Sequence, residues 1–162
     1  MLTMKFFENN KQIEEKLENE IADILETAFE TVLSHTPVSS GELVANTTIS
    51  QNTPSKSYRP YPEWQFEPGS SQYPLPATAF MGEQNRSRGH IAANKNLNEF
   101  MQKFRRGRTS LKDSVKFYIT NNTPYAADVE YGKRSDNGLY ARDASIGMYR
   151  KSAAAIKLKL GR

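Results

Sequence analysis

Ile13, Leu17, Ile21, Ile24, Ala28 and Val32 recur every three or four positions, the spacing of one face of an α-helix. Leu25, Phe29 and Leu33 widen that stripe, while Glu14, Glu15, Glu18, Glu20, Asp23, Glu26 and Glu30 lie off it. The pattern predicts a helix over residues 10–35. Asn9 or Asn10 supplies its cap, and Pro37 ends it by forcing the preceding residue out of helical geometry. Such a helix is a rod about 36 Å long.

Ser39 followed three residues later by Glu42 has the form of a capping box, so a short helical turn is expected there. Residues 46–51, with Thr47, Thr48 and Ile49, are β-prone and give the first strand. Leu97, Phe100, Met101 and Phe104 mark a second amphipathic helix that begins at Ile91 and ends near Gly107. Val115, Phe117 and Ile119 alternate with Lys116, Tyr118 and Thr120, the period of a half-buried strand. From Thr123 to Gly132 a short helix is expected, with Thr123 as cap and Pro124 at its first position. A last helix starts around residues 143–145 and turns Met148, Ser152, Ile156 and Leu160 inward.

Between these segments the periodicity is lost. Six of the eight prolines fall between Pro54 and Pro76, interleaved with Tyr58, Tyr61, Trp64, Phe66 and Tyr73. Proline keeps such a stretch extended and the aromatic rings give it something to dock with, so 53–90 reads as an arm or an extended loop. The elements together predict an α+β fold in a single domain over residues 1–162. A small, mainly antiparallel sheet packs against the long N-terminal helix and the C-terminal helix, with 53–90 inserted as a Pro- and aromatic-rich loop.

Composition changes the picture in three ways. Hydrophobic residues make up 37% of the 162, and even with the glycines added the apolar share stays below the usual roughly 45–50%. A core this lean implies unstructured stretches or a surface completed by a neighbour. With no cysteine and two histidines, thiolate metal sites, Cys nucleophiles and multi-histidine metal centres are excluded. No apolar run is long enough for a membrane helix, and Met1–Phe7 is too short for a signal peptide.

Charge is also uneven. Residues 1–51 carry 9 acidic and 3 basic side chains, residues 52–162 carry 9 and 19, within a net charge of +4. Opposed charge on two parts of one chain suits head-to-tail association, and suits dipolar solvation equally.

Candidate chemistry is sparse. His35 falls at the end of the first helix, where the helix dipole gives it a structural role, and His90 falls at a loop–helix junction. Asp128 and Glu130 with Lys133 have the wrong spacing for a carboxylate–lysine nuclease site. No phosphate-cradling glycine motif or nucleophile elbow occurs. Lys103, Arg105, Arg106, Arg108 and Lys112 form the one strong basic cluster, a solvated patch able at most to make sequence-independent contact with DNA phosphates.

Three segments carry a resemblance. Thr36-Pro37-Val38-Ser39-Ser40-Gly41-Glu42-Leu43 resembles the TPVDTGxL element of the tail-completion or neck proteins of tailed bacteriophages, the minor tail protein Z type included. Residues 119–132, with Asn122, Pro124, Tyr125, Ala126, Glu130 and Gly132, are similar to that family's strand-plus-NNxPYAxxxExG signature. Gly147-Met148 resembles the P-x-GM start of its closing helix. Ser39-Ser40 replace the usual acidic residue and Thr, and no proline precedes Gly147.

The resemblance implies a non-enzymatic virion protein without cofactor or metal, made in the bacterial host cytoplasm. It would form a ring, six subunits expected, at the head–tail junction, so that capsid and tail join and DNA passes. Its partners would be further copies of itself, the head–tail connector, and the tail-terminator or tail-tube proteins, with no membrane involved. On this reading Tyr125, Glu130 and Gly132 are structural keystones, Glu130 pairs with a base across a subunit joint, and the aromatic arm locks neighbours. The alternatives are a tail-terminator or connector protein of the same junction, and a small DNA-binding accessory protein using the 103–112 patch.

Overall fold

The computed structural model describes residues 2–37, 41–60, 83–108, 115–131 and 147–159. The fold is α+β. Helix α1 spans Leu2–His35, α2 Glu42–Ala45, strand β1 Thr47–Gln51, α3 Glu83–Lys103, strand β2 Phe117–Asn121, α4 Ala126–Tyr131 and α5 Met148–Lys159. The last turn of α3 widens into a π-helical segment over Phe104–Arg108.

Two helices start earlier than the apolar pattern predicts. Helix α1 begins at Leu2, so neither Asn9 nor Asn10 caps it. An interior asparagine costs only tenths of a kcal/mol, and nothing between Leu2 and Asn10 breaks a helix. Helix α3 begins at Glu83, eight residues before Ile91. Its first two turns are polar and carry no apolar period, but glutamate, glutamine and arginine are good helix formers. The inserted loop therefore stops short of 83, and His90 is a half-buried helical residue rather than a junction residue. Residues 61–82, which hold Tyr61, Trp64, Phe66 and Tyr73, lie outside the described residues.

Strands β1 and β2 pair antiparallel, with Ile49 opposite Ile119 and Thr47 opposite Asn121. The two-residue period sends Ile49, Phe117 and Ile119 to one face. There they meet Ala22, Leu25, Phe29 and Leu33 of α1 and Ala93, Leu97 and Met101 of α3, which together form the main core. Phe104 and Phe117 close one end of it, edge to face at 5.8 Å between ring centroids. On the opposite face the Thr48 and Thr120 hydroxyls are 3.1 Å apart across the pair.

Helix α5 lies along the C-terminal half of α1, antiparallel to it. Met148 sits against Thr36, and Ser152, one turn later, sits against Thr31 and His35. His35 Nδ1 is 3.0 Å from the Thr31 carbonyl and 3.2 Å from Ser152 Oγ, so the residue ties the end of α1 to α5. Gly147 is not helical, so α5 opens at Met148, later than the expected 143–145.

Candidate functional site: a junction of three motifs

A second, smaller core cluster contains Leu43 from α2, Ala126 and Val129 from α4, and Met148 from α5, with Tyr125 and Tyr149 packed against it. It is assembled from the three segments that carried the sequence resemblance. Thr36, Glu42, Asn121, Thr123 and Glu130 from these segments make specific bonds that hold the assembly together.

At the end of α1, the Thr36 hydroxyl donates to the Val32 carbonyl at 2.7 Å and lies 3.6 Å from Met148 Sδ. Pro37 is exposed and stops the helix. Gly41 then holds φ at 82°, a left-handed conformation that a side chain would disfavour, and its carbonyl accepts the first bond of α2 from the Ala45 N–H at 2.9 Å. The cap of α2 is therefore Gly41, with no side-chain cap, in place of the expected capping box; Ser39 lies outside the described residues.

Glu42 has another task. Its nearly buried carboxylate accepts the Tyr58 hydroxyl at 2.7 Å and the Tyr125 hydroxyl at 3.1 Å. Burying a carboxylate is costly unless it is hydrogen-bonded, and two phenols supply those bonds.

The second segment is tied in by its asparagines. Asn121 donates to the Leu43 carbonyl and to Thr47 Oγ1, and its Oδ1 accepts from both the N–H and the hydroxyl of Thr123. Thr123 thus folds back on Asn121 instead of capping α4, whose first backbone bond is the Ala126 N–H to the Thr123 carbonyl. Asn122 reaches outward and donates to the carbonyls of Ser55 and Ser57 at 2.8 and 3.0 Å. Pro124 is exposed at the turn, and Gly132 lies outside the described residues.

Glu130 shows the clearest disagreement with expectation. Its carboxylate sits on the N-terminus of α5 and accepts the N–H groups of Tyr149 at 2.9 Å and Arg150 at 3.3 Å, together with Arg150 Nε at 3.2 Å. An anion there satisfies unpaired helix donors and the positive end of the helix dipole at once. Arg150 also donates to the Glu130 carbonyl and stacks its guanidinium 5.4 Å from the Tyr131 ring centre. Glu130 is therefore bonded within the chain, to the N-terminus of α5 and to Arg150.

Gly147 is required by the same contact. A Cβ at this position would collide with the Glu130 carbonyl oxygen and with its carboxyl group. Next to them the Tyr149 hydroxyl is buried with no hydrogen-bond partner among the described residues. Burial, reinforced by the Glu130 charge, holds this phenol well above its ordinary pKa.

The root of the inserted arm is fastened to this junction. Asn46 pairs with Arg59 in both directions, donating to its carbonyl at 2.8 Å and accepting its N–H at 2.7 Å. With Asn122 on the carbonyls of Ser55 and Ser57, and the Tyr58 hydroxyl on the Glu42 carboxylate, residues 55–59 are stitched to the domain by side-chain hydrogen bonds. Tyr58 accordingly belongs to the anchored root, not to a projecting arm. No local pattern could have revealed this pairing. The only signal is the number of asparagines where the strands and turns meet.

Three of the five residues of the basic cluster have described side chains. Lys103, Arg105 and Arg106 are exposed at the end of α3, and Arg105 pairs with Glu26 of α1 at 3.0 Å. The Arg108 side chain and Lys112 lie outside the described residues. A groove of about 510 Å³ runs beside α1, lined among the described residues by Gln12, Ile13, Glu15, Lys16 and Asn19. Among the described residues no three His, Asp or Glu side chains converge as metal ligands, and no helix is long and apolar enough to cross a membrane. No protein-family model, curated protein or solved structure matches this chain.

Proposed function

We propose that this chain is a non-enzymatic structural subunit of a tailed-bacteriophage virion, forming a ring at the head–tail junction that completes the neck or tail so that the two can join. One observation carries the reading: three segments more than 70 residues apart in the extreme, which resemble the family's signature in order, meet in a single packed junction. Within it Thr36, Gly41, Leu43, Tyr125, Ala126, Glu130, Gly147 and Met148 each have a distinct mechanical task. A signature whose members answer one another across the fold is stronger support than three isolated strings.

The lean composition and the uneven charge support the same reading, because a ring subunit leaves part of its stabilisation to neighbours. DNA in the lumen would meet at most the exposed bases of the α3 end, without sequence preference.

The test is deletion of the gene in the phage or prophage that encodes it. Filled heads and finished tails that fail to join are expected. Joined, infectious particles would overturn the proposal, and tails of uncontrolled length would reassign the chain to the terminator role at the same junction.

A further inference from the structure

Helix α1 has two apolar faces, not one. Ala22, Leu25, Phe29, Val32 and Leu33 point into the core. Ile13, Leu17 and Ile24 lie roughly 120° round the helix from them, on the geometry of 3.6 residues per turn. That second face continues toward the C-terminus through Thr31 and His35, which is where α5 lies. Helix α5 runs back along it for 12 residues, about 18 Å, and then ends. Beyond the stretch that the described part of α5 accompanies, exposure on this face climbs with distance: 40% at Ile24, 46% at Leu17 and 62% at Ile13.

The uncovered stretch is a specific kind of surface. Exposed Glu14 borders the stripe on one side and exposed Glu20 on the other. It therefore asks for a helix with an apolar ridge flanked by bases, docked where α5 would have continued. The outward face of α5 has the required character. Ala154 and Leu158 are exposed one turn apart, Leu158 at 83%, with exposed Lys157 beside them.

We propose that the uncovered half of α1 docks the outward face of α5 from a second copy of this chain. The contact is head-to-tail, because the donor and acceptor surfaces differ, so every subunit keeps one of each to offer. The stripe over residues 12–24 is about 20 Å long, too short for one helix face to bury the roughly 800 Å² per partner of a standard interface. A single joint is weak, and closure, in which every subunit makes the contact twice, supplies the rest. The inference deepens the ring reading and rests on it for that closure.

The cysteine-free sequence makes the test direct. Full-length Leu17→Cys and Leu158→Cys variants, both at exposed positions, are mixed and treated with a short bis-maleimide. A covalent heterodimer that grows no further is expected, with neither variant linking to itself at a comparable rate. In parallel, Leu17→Asp should weaken self-association of the otherwise unaltered chain about tenfold or more by sedimentation velocity, with its thermal melt unchanged.

Efficient linking of Leu17→Cys to itself would overturn the proposal in favour of a symmetric contact. A wild-type chain that stays monomeric, with no cross-link, would overturn it and leave the stripe to another partner. The two readings fail separately. Cross-linking without any head–tail joining defect in the deletion would remove the phage role and keep the contact. A joining defect without cross-linking would do the reverse.

Discussion

The two apolar faces of α1 have opposite fates. Phe29 in the C-terminal half is wholly buried among α3 and the sheet, while Leu17, three turns earlier, is nearly half exposed. Periodicity records which positions are apolar; it does not record whether the fold brings anything to cover them. In a chain with so little apolar surface to spend, the uncovered stripe is where a neighbour can supply what the core lacks.

Substitution should separate the faces sharply. Phe29→Ala opens a cavity at a site walled in by two helices and a sheet, and should cost about 3–5 kcal/mol in chemical denaturation. Leu17→Ala should move monomer stability by no more than about 0.5 kcal/mol. Equal losses at the two positions would mean that the stripe is covered within the monomer, and the contrast would collapse.

The junction of the three motifs should respond in between. Gly147→Ala forces a methyl group into the Glu130 backbone carbonyl, which cannot rotate away, so a loss near 3 kcal/mol is expected from urea unfolding. Glu130→Ala strips the N-terminus of α5 of its anion and takes the carboxylate from Arg150, which keeps only its bond to the backbone carbonyl of residue 130 and its place over Tyr131, for about 2 kcal/mol. Glu130→Gln, which keeps an acceptor but not the charge, should lose about half as much. If Glu130→Ala instead leaves the melt untouched while abolishing assembly, the carboxylate acts between subunits after all.

Tyr149→Phe should have the smallest effect at neutral pH, within about 0.5 kcal/mol, because the buried hydroxyl it removes has no partner among the described residues. Its signature is in alkali. The native phenol is held above the ordinary tyrosine pKa, so the unfolded chain releases its proton first. Stability that is fully present below about pH 10 should decline as pH rises beyond it. Melts of wild type and Tyr149→Phe across that range should diverge, with the variant the flatter.

Local pattern was a sound guide wherever an element owes its form to its own residues. The α1 stripe, the alternation of Phe117 and Ile119 and the proline stop at Pro37 were all legible, because helix and strand periods are written directly into side-chain order. Helix starts were misjudged where polar helix formers continue an element beyond its apolar stripe, at Leu2 and at Glu83. The candidate site was legible as three strings but not as one object. That Glu42 accepts from Tyr58 and Tyr125, or that Asn46 holds Arg59, depends on partners up to 83 residues apart, and no spacing rule reaches that far.

The sequence by itself determined the fold class, the long amphipathic helix, the two strands and the absence of any thiol chemistry. Each follows from composition or from a short-range period. Only the tertiary structure decided what Glu130 is for, why position 147 must be glycine, and where the second apolar face of α1 runs out of cover. These depend on where α5 begins and ends against two other helices, and a helix end is placed by packing and by the groups available to satisfy its unpaired donors.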